Sequence, residues 1–76
     1  MKISAELSLA MVGEGSECIV REIAGNTWAS TRLREMGFVE RAKIKVLKTD
    51  GRGLIVWVNG TRLALSMGLA SKIKLY

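Results

Sequence analysis

The chain has no histidine and one cysteine, Cys18, and these two facts exclude most of the chemistry a small protein can do. Imidazole is the side chain that titrates near neutral pH, and it is the commonest ligand for transition metals. Without it, one thiol cannot close a zinc or iron cage of the usual nitrogen and sulfur ligands within a single chain. Cys18 precedes Ile19 and Val20 in a run that reads as a strand, which predicts a buried, inert thiol. The carboxylates do not compensate. Glu14, Glu17 and Glu22 lie near one another in sequence, but strand alternation is expected to separate Glu17 from Glu22. Glu35 and Glu40 have Arg neighbours, which predicts surface ion pairs. Ser and Lys are plentiful, yet no spacing marks an activated dyad. Gly13-Glu14-Gly15-Ser16 reads as a turn, since Glu14 and Glu17 would repel a phosphate and no helix with a Lys follows. Catalysis, a resident cofactor and a metal site built by one chain alone are all unexpected.

Binding chemistry is better represented. Ile55 and Trp57 share one parity, with Ala64 and Arg62 opposite them if the two stretches pair. Lys43, Lys45, Lys72, Lys74 and Tyr76 have outward parity as well. A large ring beside an aliphatic side chain, rimmed by bases, has the composition of a binding hot spot. The candidate partner-binding set is therefore Ile55, Trp57, Arg62, Lys43, Lys45 and Lys74. The competing expectation, and the favoured one, is that a helix of the same domain covers Trp57 while Arg62 lies across its ring.

Size and charge bound the rest. The 76 residues are expected to form one domain over 1–76, and a chain this short buries only about 60% of its unfolded surface. No intramolecular disulfide can be made, and a lone thiol suits a reducing compartment. Ser4, Glu6 and Ser8 interrupt any apolar leader, and no run approaches the roughly 20 apolar residues that span a bilayer. A cytoplasmic protein is expected. Twelve basic and seven acidic residues give a net charge of +5, which favours acidic proteins, anionic lipid or nucleic acid as partners.

The elements that must carry these residues are legible from punctuation and period. Asn59-Gly60 predicts a two-residue type I′ hairpin turn, which pairs Val58 with Thr61, Val56 with Leu63 and Leu54 with Leu65 on one face. Strands are expected at Glu17–Ala24, Lys43–Thr49, Leu54–Val58, Thr61–Leu65 and Lys72–Tyr76, with Asp50-Gly51-Arg52-Gly53 as a further turn. Ile44, Val46, Ile73 and Leu75 continue the apolar face. Between the first two strands, Ala29, Leu33 and Met36 share one helical face, which predicts a helix near 27–36 capped by Asn26 or Thr27. Gly37 stands where the chain must leave that helix with positive φ, and Phe38 can fold back on its last turn. Five short antiparallel strands with one apolar lining favour a small barrel.

This order of elements, with Arg32-Leu33-Arg34-Glu35-Met36-Gly37-Phe38, the strand Leu63-Ala64-Leu65 and the closing Lys72-Ile73-Lys74-Leu75, resembles the FeoA family from about Leu7 to Leu75. Members are small cytosolic companions of the ferrous iron transporter FeoB. The resemblance implies a mainly β, SH3-like barrel of about five strands with a short inserted helix. It also implies a non-catalytic role in ferrous iron uptake through contact with the GTPase-containing cytoplasmic part of FeoB. At family level it carries an association with transition metal ions. Two departures stand out. Members often have Pro-Gly where this chain has Glu40-Arg41, and a charged residue where it has Ser66-Met67-Gly68, which leaves a more apolar stretch near residue 67. The positive charge would also favour residence beside an anionic membrane face, and self-association is a further alternative. The less favoured readings are a nucleic-acid-binding barrel, with Trp57 and Tyr76 stacking on bases, and a detached relative of the FeoA-like domain of iron-dependent repressors.

Overall fold

Alternating apolar residues draw five stretches into strands: β1 Glu17–Ile23, β2 Lys43–Thr49, β3 Gly53–Val58, β4 Thr61–Ser66 and β5 Ile73–Leu75. The computed structural model describes residues 7–76. In it the strands form one antiparallel sheet in the order β4-β3-β2-β1-β5, coiled around an apolar interior. The β3–β4 hairpin has the register expected from its turn, with Val58 opposite Thr61 and Leu54 opposite Leu65. Asn59 and Gly60 take φ values of 53° and 75°, as a type I′ turn demands. Gly53 is required for packing: a Cβ there would collide with the Leu65 carbonyl of β4.

Two bulges steer side chains in ways that strict alternation misses. In β1 the register shifts between Val20 and Glu22, so Val20 and Ile23 both point into the core and Glu22 turns outward. Glu17 and Glu22 consequently lie on the same exposed face, contrary to the parity argument. In β2 the shift between Val46 and Lys48 leaves Leu47 facing outward and partly exposed.

Helix α1 spans Trp28–Glu35. The Thr27 hydroxyl accepts from the Ser30 N–H at its start (3.3 Å). At its end the Gly37 N–H donates to the Arg34 carbonyl and the Phe38 N–H to the Leu33 carbonyl, both at 3.1 Å. Those paired bonds are the Schellman stop that Gly37, at φ 109°, makes accessible. Phe38 is fully buried beneath it. The helix packs against β1 through Leu33 and Ser30, whose hydroxyl donates to the Ala24 carbonyl at 2.7 Å. Because α1 sits over β1, it does not cover Trp57 on β3, and that expectation is overturned.

The Glu40-Arg41 turn forms at a local backbone cost. The Ala42 N–H donates to the Val39 carbonyl (3.0 Å), and Arg41 takes φ 72°, a value that favours glycine. Tyr76 engages both side chains: its hydroxyl donates to Glu40 Oε2 (3.0 Å), and the Arg41 guanidinium lies 5.7 Å from its ring centre. Glu40 thus meets a phenol where an ion pair with a neighbouring Arg was expected. Likewise Arg34 donates to the Ile23 and Gly25 carbonyls, with no bond recorded to Glu35. Among the described residues, Arg21 and Glu22 are sequence neighbours that do form an ion pair, at 3.3 Å. Helix α2, Met67–Ala70, is a single turn capped by Ser66, whose hydroxyl accepts from the Leu69 N–H. Met67 packs partly buried against the core, so the departure at 66–68 adds interior contact and not the apolar surface anticipated.

Candidate functional site

Cross-strand register aligns four exposed side chains in a row on the outer face of the sheet: Glu17 of β1, Lys45 of β2, Trp57 of β3 and Arg62 of β4. A hollow of about 420 Å³ is lined by Glu17, Cys18, Ile19, Lys43, Ile44, Lys45 and Trp57. Trp57 remains 49% exposed in this setting, a large fraction for so large an apolar ring. The bases Lys43 and Lys45 form its rim.

The other residues singled out from sequence fall into place around it. Ile55 is half-buried in the adjacent row, between Lys48 of β2 and Ala64 of β4. Arg62 flanks Trp57 across the hairpin, but the cation–π contact recorded among the described residues is that of Arg41 on Tyr76. Lys74 is on β5, opposite Glu22 on the far side of β1, and does not line the hollow. The structure therefore brings Trp57, Lys43, Lys45, Ile55 and Arg62 together and leaves Lys74 outside. The motif residues Leu33, Met36, Gly37, Phe38, Asn59 and Gly60 serve the frame: Gly37 abuts the Asn59 side chain, so the helix stop and the hairpin turn pack on each other.

Sequence reading missed the β1 wall of the hollow, formed by Glu17, Cys18 and Ile19. Its signal lay in the register between β1 and β2, which no local pattern encodes. Cys18 is half-buried, not fully so, and burial pushes its thiol above the ordinary range, which agrees with an unreactive group. Trp28 was also missed as a surface residue. It is 77% exposed on α1, beside a smaller hollow of about 310 Å³ lined with Ala29, Arg32, Leu33, Met36 and Leu69.

Among the described residues no three His, Cys, Asp or Glu side chains are grouped so as to hold a metal ion. No helix there is long and apolar enough to cross a membrane. Glu14, in the glycine turn, accepts from the Thr49 N–H (3.2 Å), so its carboxylate fastens that turn to β2. The outer face can bind by aromatic and basic contact.

Known proteins share this sequence pattern and fold. The chain is 37% identical over 65 residues to "Putative Fe(2+) transport protein A" of Methanocaldococcus jannaschii, an alignment covering 86% of this chain and 79% of that one. Among solved structures, an iron uptake regulatory protein (FeoA) superposes with a TM-score of 0.85 at 33% identity, over 93% of this chain and 96% of the other. FeoA of Stenotrophomonas maltophilia complexed with zinc, described as a prokaryotic SH3 domain protein, gives 0.84 at 25% identity, over 92% and 89%. A manganese-dependent transcriptional repressor shares the fold alone, with a TM-score of 0.84 at 14% identity; this chain covers 42% of it. The FeoA domain profile matches residues 7–76, and the chain belongs to the FeoA family.

Proposed function

We propose that this protein is a non-catalytic accessory of ferrous iron uptake that works by docking on the cytoplasmic, GTPase-containing part of a FeoB-type transporter, with the Trp57 face as the contact. The observation that carries this reading is the exposed Trp57 ring set in a hollow with a Lys43 and Lys45 rim. An open aromatic anchor with basic surroundings suits an acidic protein surface. A domain of this size can supply roughly the 800 Å² per partner of a standard interface. Family membership and the iron-transport names of its relatives set the biological context. Such docking places the protein on the cytoplasmic side of the membrane, where its charge of +5 also favours an anionic lipid face.

The test is a titration of the chain with the transporter's cytoplasmic domain. Trp57→Ala is expected to weaken binding by about 2 kcal/mol, roughly thirtyfold, with the melting temperature preserved. Charge reversal at Lys43 or Lys45 should mainly slow association and flatten its salt dependence. Wild-type affinity in the Trp57→Ala variant would sink the assignment of this face. A nucleic-acid reading has less to support it, because Tyr76 is engaged by Arg41 and Glu40, leaving Trp57 as the stacking ring of the hollow. Tight, salt-sensitive binding to single strands, with none to the transporter domain, would reverse that choice.

A further inference from the structure

Arg62 ends the exposed row at the margin of the sheet, and the strand that carries it is paired on one side only. In a two-residue type I′ hairpin, the residues flanking the turn exchange both backbone bonds, and bonded and non-bonded pairs alternate from there. Val58 and Thr61 flank this turn, so Val56 with Leu63 and Leu54 with Leu65 are also bonded pairs. The peptide groups of Arg62 and Ala64 must then point away from β3. The far side of the sheet agrees. Val46 turns its peptide groups toward β1, accepting from the Gly15 N–H at 2.8 Å and donating to the Ser16 carbonyl at 2.9 Å. Its neighbour Lys45 is thereby directed to β3, where it takes the backbone bonds of Trp57 and leaves Arg62 none from that strand. Among the described residues, the outward peptide groups of Arg62 and Ala64 have no recorded partner.

The opposite margin of the sheet is closed. The Leu75 N–H of β5 donates to the Leu7 carbonyl at 2.8 Å, and Ser8 bridges to Lys74, so the chain's own residues 7–8 cover that edge. Among the described residues β4 has no such cover, and it lacks the usual protections of an edge. It contains no proline and no bulge in its register with β3, and its one charge, Arg62, projects from the face of the sheet.

We propose that β4 is a strand-addition site, where an extended segment of an acidic partner lies antiparallel as a sixth strand on the outward peptide groups of Arg62 and Ala64. This rests on the protein-docking reading above and specifies how the docking is made. The occupant's chemistry follows from the side chains beside the edge. On the outer face an incoming residue meets Arg62, with Trp57, Lys45 and Lys48 behind it, and should be acidic. On the other face it meets half-buried Leu63 and should be apolar. A segment alternating acidic and apolar residues fits both. A second copy of this chain fits less well, because it brings its own charge of +5 to a basic margin.

The probe is a capped synthetic peptide of about ten residues alternating Glu and Val, long enough for one strand. Amide hydrogen exchange is followed by NMR on the whole chain. Exchange at the Arg62 and Ala64 amides is expected to slow about tenfold or more at saturating peptide, while Leu63, already bonded to β3, changes little. In this register two of the Glu residues pair directly with Arg62 and Ala64, and the Glu N–H groups point at β4 while those of Val point away from it. Methylating the Glu amides should therefore abolish binding, and methylating the Val amides should spare it. Equal effects of the two methylations, or no slowing at Arg62 and Ala64, would overturn the proposal. So would slowing without peptide that grows with protein concentration, which means self-pairing. Ala64→Pro, which removes one outward donor and no bond to β3, separates the two readings in the transporter titration. If the folded variant binds that domain as wild type does, strand addition is wrong and docking stands. If wild type ignores the domain yet the peptide protects Arg62 and Ala64, the edge is a strand acceptor and the transporter reading falls.

Discussion

Arg41 holds a backbone conformation that costs an L-residue roughly 1–2 kcal/mol, and its side chain recovers part of that by lying over Tyr76. Replacing it tests the balance without ambiguity if two variants are compared. Arg41→Ala and Arg41→Gly both lose the Tyr76 contact, but only the glycine relieves φ 72°. The glycine variant should be the more stable by about 0.5–1 kcal/mol, after its larger unfolded-state entropy is deducted. Denaturant midpoints with equal slopes measure this, and equal midpoints for the two variants would contradict the strain. Cys18 supplies a second residue-scale prediction. Burial raises its thiol pKa, so at neutral pH it carries less thiolate than a free cysteine. Alkylation by iodoacetamide should be slower than for a model thiol and should accelerate only as pH rises past the ordinary thiol range. A rate matching the model thiol at neutral pH would show that the group is fully solvated.

At the scale of elements, the helix stop and the hairpin turn depend on each other. Gly37 has φ 109°, and a Cβ built on it would stand 3.1 Å from the Asn59 Cβ. Gly37→Val therefore meets a backbone penalty and a steric one at the same place. A loss of about 2–3 kcal/mol is expected, which for a domain of this size lowers the melting temperature by roughly 10–20 °C. An unchanged melting temperature would mean that the stop does not need its left-handed residue. The bulges act at the same scale. Without the one in β1, Val20 and Ile23 could not both be buried, and Glu22 would lose its outward position.

For the molecule as a whole, the absent imidazole and the isolated thiol determine what metal chemistry is available. Fe²⁺ or Zn²⁺ titrated into the isolated chain at neutral pH should bind weakly, because scattered carboxylates make poor sites for either ion. Stoichiometric binding below micromolar concentration, unaffected by Cys18→Ser, would contradict this. The zinc complex of the Stenotrophomonas maltophilia relative makes that measurement worth doing on this chain. Its outcome bears on whether a metal ion acts through this protein directly.

Local patterns in the chain determined a good part of this structure. Asn59-Gly60 dictated the hairpin and its register, because only one turn type tolerates positive φ at two successive residues. The Ala29, Leu33, Met36 spacing and Gly37 dictated a helix and its stop, because both follow from contacts within about six residues. Membership of the family was legible for the same reason, since its signature is a series of such local signals. Tertiary structure alone decided which face each element shows to water. Trp57 is open because α1 docks on β1, the strand that precedes it, where Ser30 bonds the Ala24 carbonyl, and so leaves β3 uncovered. Glu17, Cys18 and Ile19 became a wall of the hollow through the β1–β2 register, and Lys74 was excluded by the strand order. Pairing between distant strands is set by the sum of many weak contacts, so no single residue announces it.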